Sequence, residues 1–383
     1  MYIFIFCIWI FFLIYVKLKT PFWFHQPVYH FYQIYPRFIK TPYIIRTNLP
    51  RKNNYCDFQN IITIKNADLS LAIDLLQCHY LSAENVIFTI TQKQLESQFV
   101  GQTHPSFVSY YYNTEYIQSK KKIQHSRPVG TITSRATRLF YQSESIYLYF
   151  WDYICVHRDY KKKNLSRYLI QTHEYNQRHA NREIMVSLLK KENILCEGVI
   201  PLVEYETTLF PYHDSRISKL PFRFLVKRIG RENISKCADI LENIRNSGIF
   251  DILVIPDITV FTEMILSEMW FVYYLVSNKE MAVYVFKNAT TSYDNVDGTI
   301  QCMASVRMDD LSKVVFFRGF LHALFEIAQN KMVFIENISH NNILLDKWRE
   351  KYSARFTHPC AYYLYNYIIP GMTFPSEKVF ILV

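Results

Sequence analysis

Residues Ser145 to Ala180 read as a strand, a basic turn and a helix in immediate succession. Ser145 to His157 is rich in aromatic and β-branched residues, as a strand would be. Arg158 to Asn164 carries Lys161, Lys162 and Lys163, and from about Leu165 to Ala180 the apolar residues recur at helical spacing. The first amides of such a helix have no partner inside it, so they and the lysines converge on one concavity that suits phosphate. The plainer reading is a solvated charge run beside an ordinary strand–helix connection.

The same alternation recurs elsewhere. Residues 67–80 fit a helix, Val129 to Arg135 a strand, and residues 17–55, rich in Pro, Tyr and Phe, an extended arm over the core. Further on, Asn233 to Asn246 and Lys313 to Gln329 fit helices. Phe250 to Ile255, Phe271 to Ser277, Met281 to Lys287, Met332 to Ile335 and Ala361 to Ile369 fit strands. Strands mixed with helices in both halves predict an α/β or α+β fold in two lobes, divided near 205–220. With 383 residues, half of them hydrophobic and 20% charged, the chain can bury a large core and is not a disordered one.

A formal net charge of +10 favours an anionic partner. The dense basic runs, residues 120–122 and 161–163, are short and no nucleic-acid motif accompanies them, so nucleic acid is not the expected partner. The eight cysteines show no CxxC or Cys/His pairing that would build a zinc site. HRDYKKKN, from His157 to Asn164, has the spacing of a protein-kinase catalytic loop. The chain lacks the glycine-rich loop and DFG triplet that kinase chemistry also needs. His25, His125, His173, His213 and His358 pair with no nucleophile in recognisable spacing.

Tyr2 to Val16, YIFIFCIWIFFLIYV, is uninterrupted apolar sequence closed by Lys17 and Lys19. It is short for a membrane span of about 20 residues, and it lacks the basic start and cleavage site of a secretory signal. Read as a signal anchor, it associates with a membrane through residues 2–16, and the flanking lysines leave the rest of the chain in the cytosol. Read otherwise, it is a helix packed on the body of the protein.

Several short stretches form a series. Phe22 to Val28 reads FWFHQPV, Val129 to Ile132 VGTI, Tyr153 to His157 YICVH with KKKNLS after it, Gly198 to Ile200 GVI, Tyr362 to Asn366 YYLYN, and Glu377 to Val379 EKV. Taken in order, this series resembles the motifs of the N-myristoyltransferase family, among them FWxTQPV, FLCVH and EKV. The resemblance implies two GNAT-like lobes related by a pseudo-twofold axis, with mixed sheets flanked by helices. After an apolar segment over 1–19, an N-terminal lobe over 20–210 would bind acyl-CoA and a C-terminal lobe over 211–383 would bind peptide.

It also implies a cytoplasmic enzyme that transfers a fatty acyl group from myristoyl-CoA, without a metal, to the N-terminal glycine amine of target proteins or peptides. The backbone amides of Tyr153 and Ile154 would form the oxyanion hole, where each donor is worth about 3 to 4 kcal/mol. Phe22, Trp23, Cys155, Val156, Lys161, Lys162, Lys163, Asn164, Leu165 and Ser166 would surround the cofactor. The carboxylate of Val383, in the place of the family's last residue, would take the amine's proton.

Departures from the pattern bear on activity. Asp152 replaces the Asn that precedes FLCVH, and we expect it to assist as base. Phe380 stands where the family has Gly after EKV and one residue fewer follows, which would displace the Val383 carboxylate. Glu84 is the main remnant of the acidic cluster that attracts basic peptides, RFTHPCA over Arg355 to Ala361 replaces a GDG turn, and the YWHR segment is missing. Acyl-CoA features therefore match better than peptide features. A different acyl-CoA-dependent N-acyltransferase, or an impaired protein that only binds acyl-CoA, stays open as an alternative.

Overall fold

Fourteen strands join into one mixed sheet that runs through both halves of the chain. The computed structural model describes residues 2–66, 69–81, 86–116, 122–124, 127–212, 217, 219–293, 296, 298–308, 310–371 and 373–383, without the side chains of 2–8, 114–116 and 122–124. Glu84, Lys120, Lys121, His125, His213 and the start of the helix expected over 67–80 lie outside the described residues.

In chain order the strands of this sheet are β1 (Ile61–Lys65), β2 (Phe107–Tyr111), β3 (Gly130–Tyr141), β4 (Glu144–Val156), β5 (Val186–Glu192), β6 (Val203–Pro211) and β7 (Leu225–Arg228). They continue as β8 (Ile252–Ile255), β9 (Trp270–Val276), β10 (Glu280–Asn288), β11 (Thr299–Arg307), β12 (Met332–Glu336), β13 (Phe356–Tyr365) and β14 (Val379–Ile381). The helices are α1 (Tyr2–Lys19), α2 (Ser70–His79), α3 (Gln92–Ser97), α4 (Leu165–Ala180), α5 (Lys236–Asn246), α6 (Ile258–Leu266), α7 (Lys313–Ile327) and α8 (Asn341–Arg349). Among the described residues no helix is long and apolar enough to cross a membrane.

The sheet order is β7-β9-β10-β11-β12-β6-β13-β5-β4-β3-β8-β14, with β2 on the remaining length of β3 and β1 beyond it. Each half repeats one plan. Antiparallel β1-β2-β3-β4 leads through α4 to β5, parallel to β4, and antiparallel β7-β9-β10-β11 leads through α7 to β12, parallel to β11. Parallel neighbours cannot be joined by a tight turn, so a helix makes each crossover. The halves then exchange strands: β6, which follows β5, pairs with β12, while β13, which follows β12, pairs with β5. The β6–β13 pair sits on the dyad between them.

The arm differs from the extended segment expected over 17–55. Its start is helical, through α1 and the single turn Pro21–Phe24, because the apolar run of α1 carries no breaker before Pro21. The rest does lie over the sheet. Val28 bridges Tyr365, His30 bridges Val199, and Tyr43–Ile44 pairs with Tyr367–Ile368. Tyr365 Oη donates to Gln26 Oε1 at 2.7 Å, so FWFHQPV, GVI and YYLYN meet in space.

α7 packs so closely on the sheet that one residue must lack a side chain. A Cβ on Gly319 would lie 2.5 Å from the Tyr284 hydroxyl, which donates to the Phe316 carbonyl at 2.6 Å within the core. Gly319→Ala is therefore expected to lower stability by about 1 to 3 kcal/mol through overpacking, despite its better helix propensity, as read by chemical denaturation.

Candidate functional site

β4 leaves its neighbours where the aromatic motif begins. On one side, Thr131 faces Cys155 and Thr133 faces Asp152, so Ile132 alone stands opposite both Tyr153 and Ile154. On the other side, the parallel pairing with β5 runs from Leu148 to Trp151 and stops. Tyr153 takes the extra residue of this bulge at φ 50°, a left-handed conformation that costs a bulky residue of order 1–3 kcal/mol. Its ring supplies the compensation: it is buried among α2 and α3 residues, and Gln98 Nε2 donates to its hydroxyl at 2.7 Å.

The second half carries the same irregularity. Val285 faces Ala304 and Phe286 faces Cys302, leaving Met303 as the extra residue, and β11–β12 pairing ends at Cys302. There the gap is filled: Asn341 Nδ2 donates to the carbonyls of Cys302 at 3.3 Å and Glu336 at 2.9 Å. In the first half the gap opens on a cavity of about 1550 Å³, walled by both halves.

Most of the residues singled out in the sequence border this cavity: Phe22, Trp23, Asp152, Tyr153, Ile154, Cys155, Val156, Lys161, Asn164, Leu165, Ser166 and Val383. Lys162 and Lys163 are not in its wall, and Lys163 lies over the Tyr160 ring at 4.7 Å. The basic segment is a 3-10 turn, Arg158–Lys163, ended by Asn164 at φ 54°. The Asn164 side chain does not cap the amides that open α4, and Arg167 joins Lys161 on this wall. The Cys155 thiol, pushed up to about 12 by burial, points to the Leu75 carbonyl at 3.6 Å and is not a ready nucleophile.

Asp152 has both oxygens engaged. Oδ1 accepts the Tyr153 amide at 2.8 Å, and Oδ2 accepts from Arg135 Nη1 at 3.1 Å. Arg135 is buried over the Phe150 ring at 5.0 Å. Across the cavity, burial pushes the Lys287 amine down to about 8, opposed in part by Asp152. Lys190 Nζ lies 2.7 Å from both Glu192 and Glu336, while Tyr205 donates to Glu336 at 3.0 Å and Gln301 also donates to it. Glu192, His358 and Cys360 hold ligand atoms within 4.8 Å of one another, but Lys190 on the Glu192 carboxylate already supplies the charge a cation would bring. Sequence reasoning missed Arg135, Lys190, Lys287 and Glu336. The available signal was a charge inside or at the end of an apolar strand, as in MAVYVFK and MVFIE.

Neither protein-family models nor curated proteins give a match. Among solved structures the chain is similar to Saccharomyces cerevisiae N-myristoyltransferase with bound myristoyl-CoA, at 14% identity and TM-score 0.69 over 95% of this chain and 99% of that one. A second structure of the yeast enzyme with bound myristoyl-CoA gives 13% and 0.68, covering 94% and 90%. A third, with myristoyl-CoA and inhibitors, gives 14% and 0.66, covering 96% of each. At this identity the likeness establishes a shared fold from end to end, the α/β class that the sequence implied.

The helix behind the site carries a pH-sensitive group. Burial raises the Glu174 carboxyl from 4.5 to about 7, with Arg178 at 3.9 Å opposing. A group raised in the folded state stabilises below its unfolded value and loses that contribution as pH climbs through the folded one. Relative to Glu174→Gln, the native chain should therefore lose up to about 3 kcal/mol between pH 4.5 and 7, measured by urea denaturation across that range.

Proposed function

We propose that this protein binds a fatty acyl-CoA, myristoyl-CoA by the resemblance of its motifs, and transfers the acyl group to the N-terminal glycine amine of target proteins. The observation that carries the reading is the bulge that leaves Tyr153 and Ile154 together opposite Ile132 and beyond the end of the β5 pairing, where both border the cavity that the start of α4 also lines.

On this reading the coenzyme A phosphates rest on the first amides of α4 and on Lys161, and the acyl chain runs past Phe22 and Trp23. The thioester carbonyl takes the amides of Tyr153 and Ile154 as its donors. To do so it displaces Asp152 Oδ1 from the Tyr153 amide, so arrival of the carbonyl frees a carboxylate oxygen next to the reacting carbon. That oxygen, or the carboxylate at Val383, accepts a proton from the incoming ammonium. The neutral nitrogen adds to the carbonyl carbon, the C–S bond breaks, and the coenzyme A thiolate leaves and is protonated as the amide forms. A second reading, transfer to some other amine, draws on the Lys190–Glu336 pair, which lines the cavity with ionisable groups already paired to each other.

In calorimetric titration with myristoyl-CoA, Lys161→Ala should weaken binding about 10-fold, the size of one charge-assisted contact, and Lys162→Ala with Lys163→Ala by less than about 3-fold. Absence of binding by the native chain would overturn the reading. With radioactive myristoyl-CoA and an N-terminal glycine peptide library, Asp152→Asn should cut kcat about 100-fold and flatten the acid limb of the pH–rate profile. An unaltered profile removes Asp152 as a base.

A further inference from the structure

The densest group of exposed large apolar side chains lies between Trp9 and Phe38. On α1, Phe11 is 73% exposed and Leu18 77%, with Trp9, Ile10, Ile14 and Tyr15 also outward. Ile34, Tyr35 and Phe38 continue the patch along the arm, the last at 78%, and Phe12 meets Phe31 edge-on at 5.5 Å where the two parts join. Of the described side chains of α1, Val16 alone is buried. A helix that is apolar around its whole circumference calls for apolar surroundings on every side, and the body of the protein supplies them along one line. A protein groove would cover one further stripe; hydrocarbon covers them all. Exposed Lys17, Arg37 and Lys40 edge the patch, which complements an acidic headgroup layer.

We propose that this face docks into an anionic lipid bilayer, with α1 embedded in it but not crossing it. The cavity wall begins at the last residue of α1, with Lys19, Thr20 and Phe22, so docking sets this end of the cavity against the lipid surface. This inference stands apart from the proposed reaction, because its test needs no acyl transfer.

The test floats the full chain on vesicles of phosphatidylcholine with phosphatidylserine, and on phosphatidylcholine alone. The native chain should float with the mixed vesicles about 10-fold more than a Phe11→Glu/Leu18→Glu variant, whose changes are both exposed and whose melting temperature should be unaltered. Lys17→Glu/Lys40→Glu should abolish the preference for phosphatidylserine. The proposal is overturned if the native chain stays unbound or if the acidic variant floats equally well. It is also overturned if light scattering shows a dimer that the acidic variant dissolves while neither protein floats, since a second copy would then be what covers the face.

Discussion

The architecture of the site rests on the backbone of Tyr153. A tyrosine in a left-handed conformation is held there only because its ring is fixed elsewhere, among α2 and α3 with Gln98 on its hydroxyl. Returned to ordinary strand geometry, residues 152–156 would continue the ladder with β5 and close the gap that forms the cavity's floor. The strain of one residue is thus offset by packing in a satellite core, and the outcome is a bulge at Tyr153 and Ile154 that borders the cavity beyond the end of the β4–β5 pairing. Asp152 completes the arrangement by accepting the Tyr153 amide while Arg135 steadies it.

The duplicated plan makes the comparison internal. Both halves stop their parallel pairing at a bulge, yet the second is filled by the side-chain amide of Asn341, braced by the Ser305 hydroxyl at 2.6 Å. One polar residue on a short helix therefore distinguishes a strand separation that serves as scaffold from one that can admit a ligand. The filled half contributes instead the opposite wall, with Lys287, Gln301 and Glu336 facing the cavity.

The strand–turn–helix unit was legible because its parts are consecutive and each has a strong local pattern. The motifs FWFHQPV, GVI and YYLYN were legible for another reason: each is short and continuous in the sequence, and the structure brings them together where the arm seats on the sheet. What stayed hidden depends on long-range geometry. Lys161, Lys162 and Lys163 are equivalent as letters, and only the path of the 3-10 turn turns the first toward the cavity. The bulge is a matter of register between β3 and β4, and no residue type announces it. Arg135, Lys190 and Glu336 acquire meaning only when β3, β5 and β12 are laid side by side.

The crossed strands carry a consequence for how such a chain comes into being on the ribosome. β5 finds its outer neighbour in β13, and β3 is extended by β8 with β14 beyond it, all of them translated long after the residues they complete. The amino-terminal half cannot finish itself as it emerges; it has to wait, with sheet edges open, for segments still being made. Nascent chains of this design would need shielding until late in synthesis, and cutting the gene between the halves would yield two fragments that each lack a strand only the other can lend.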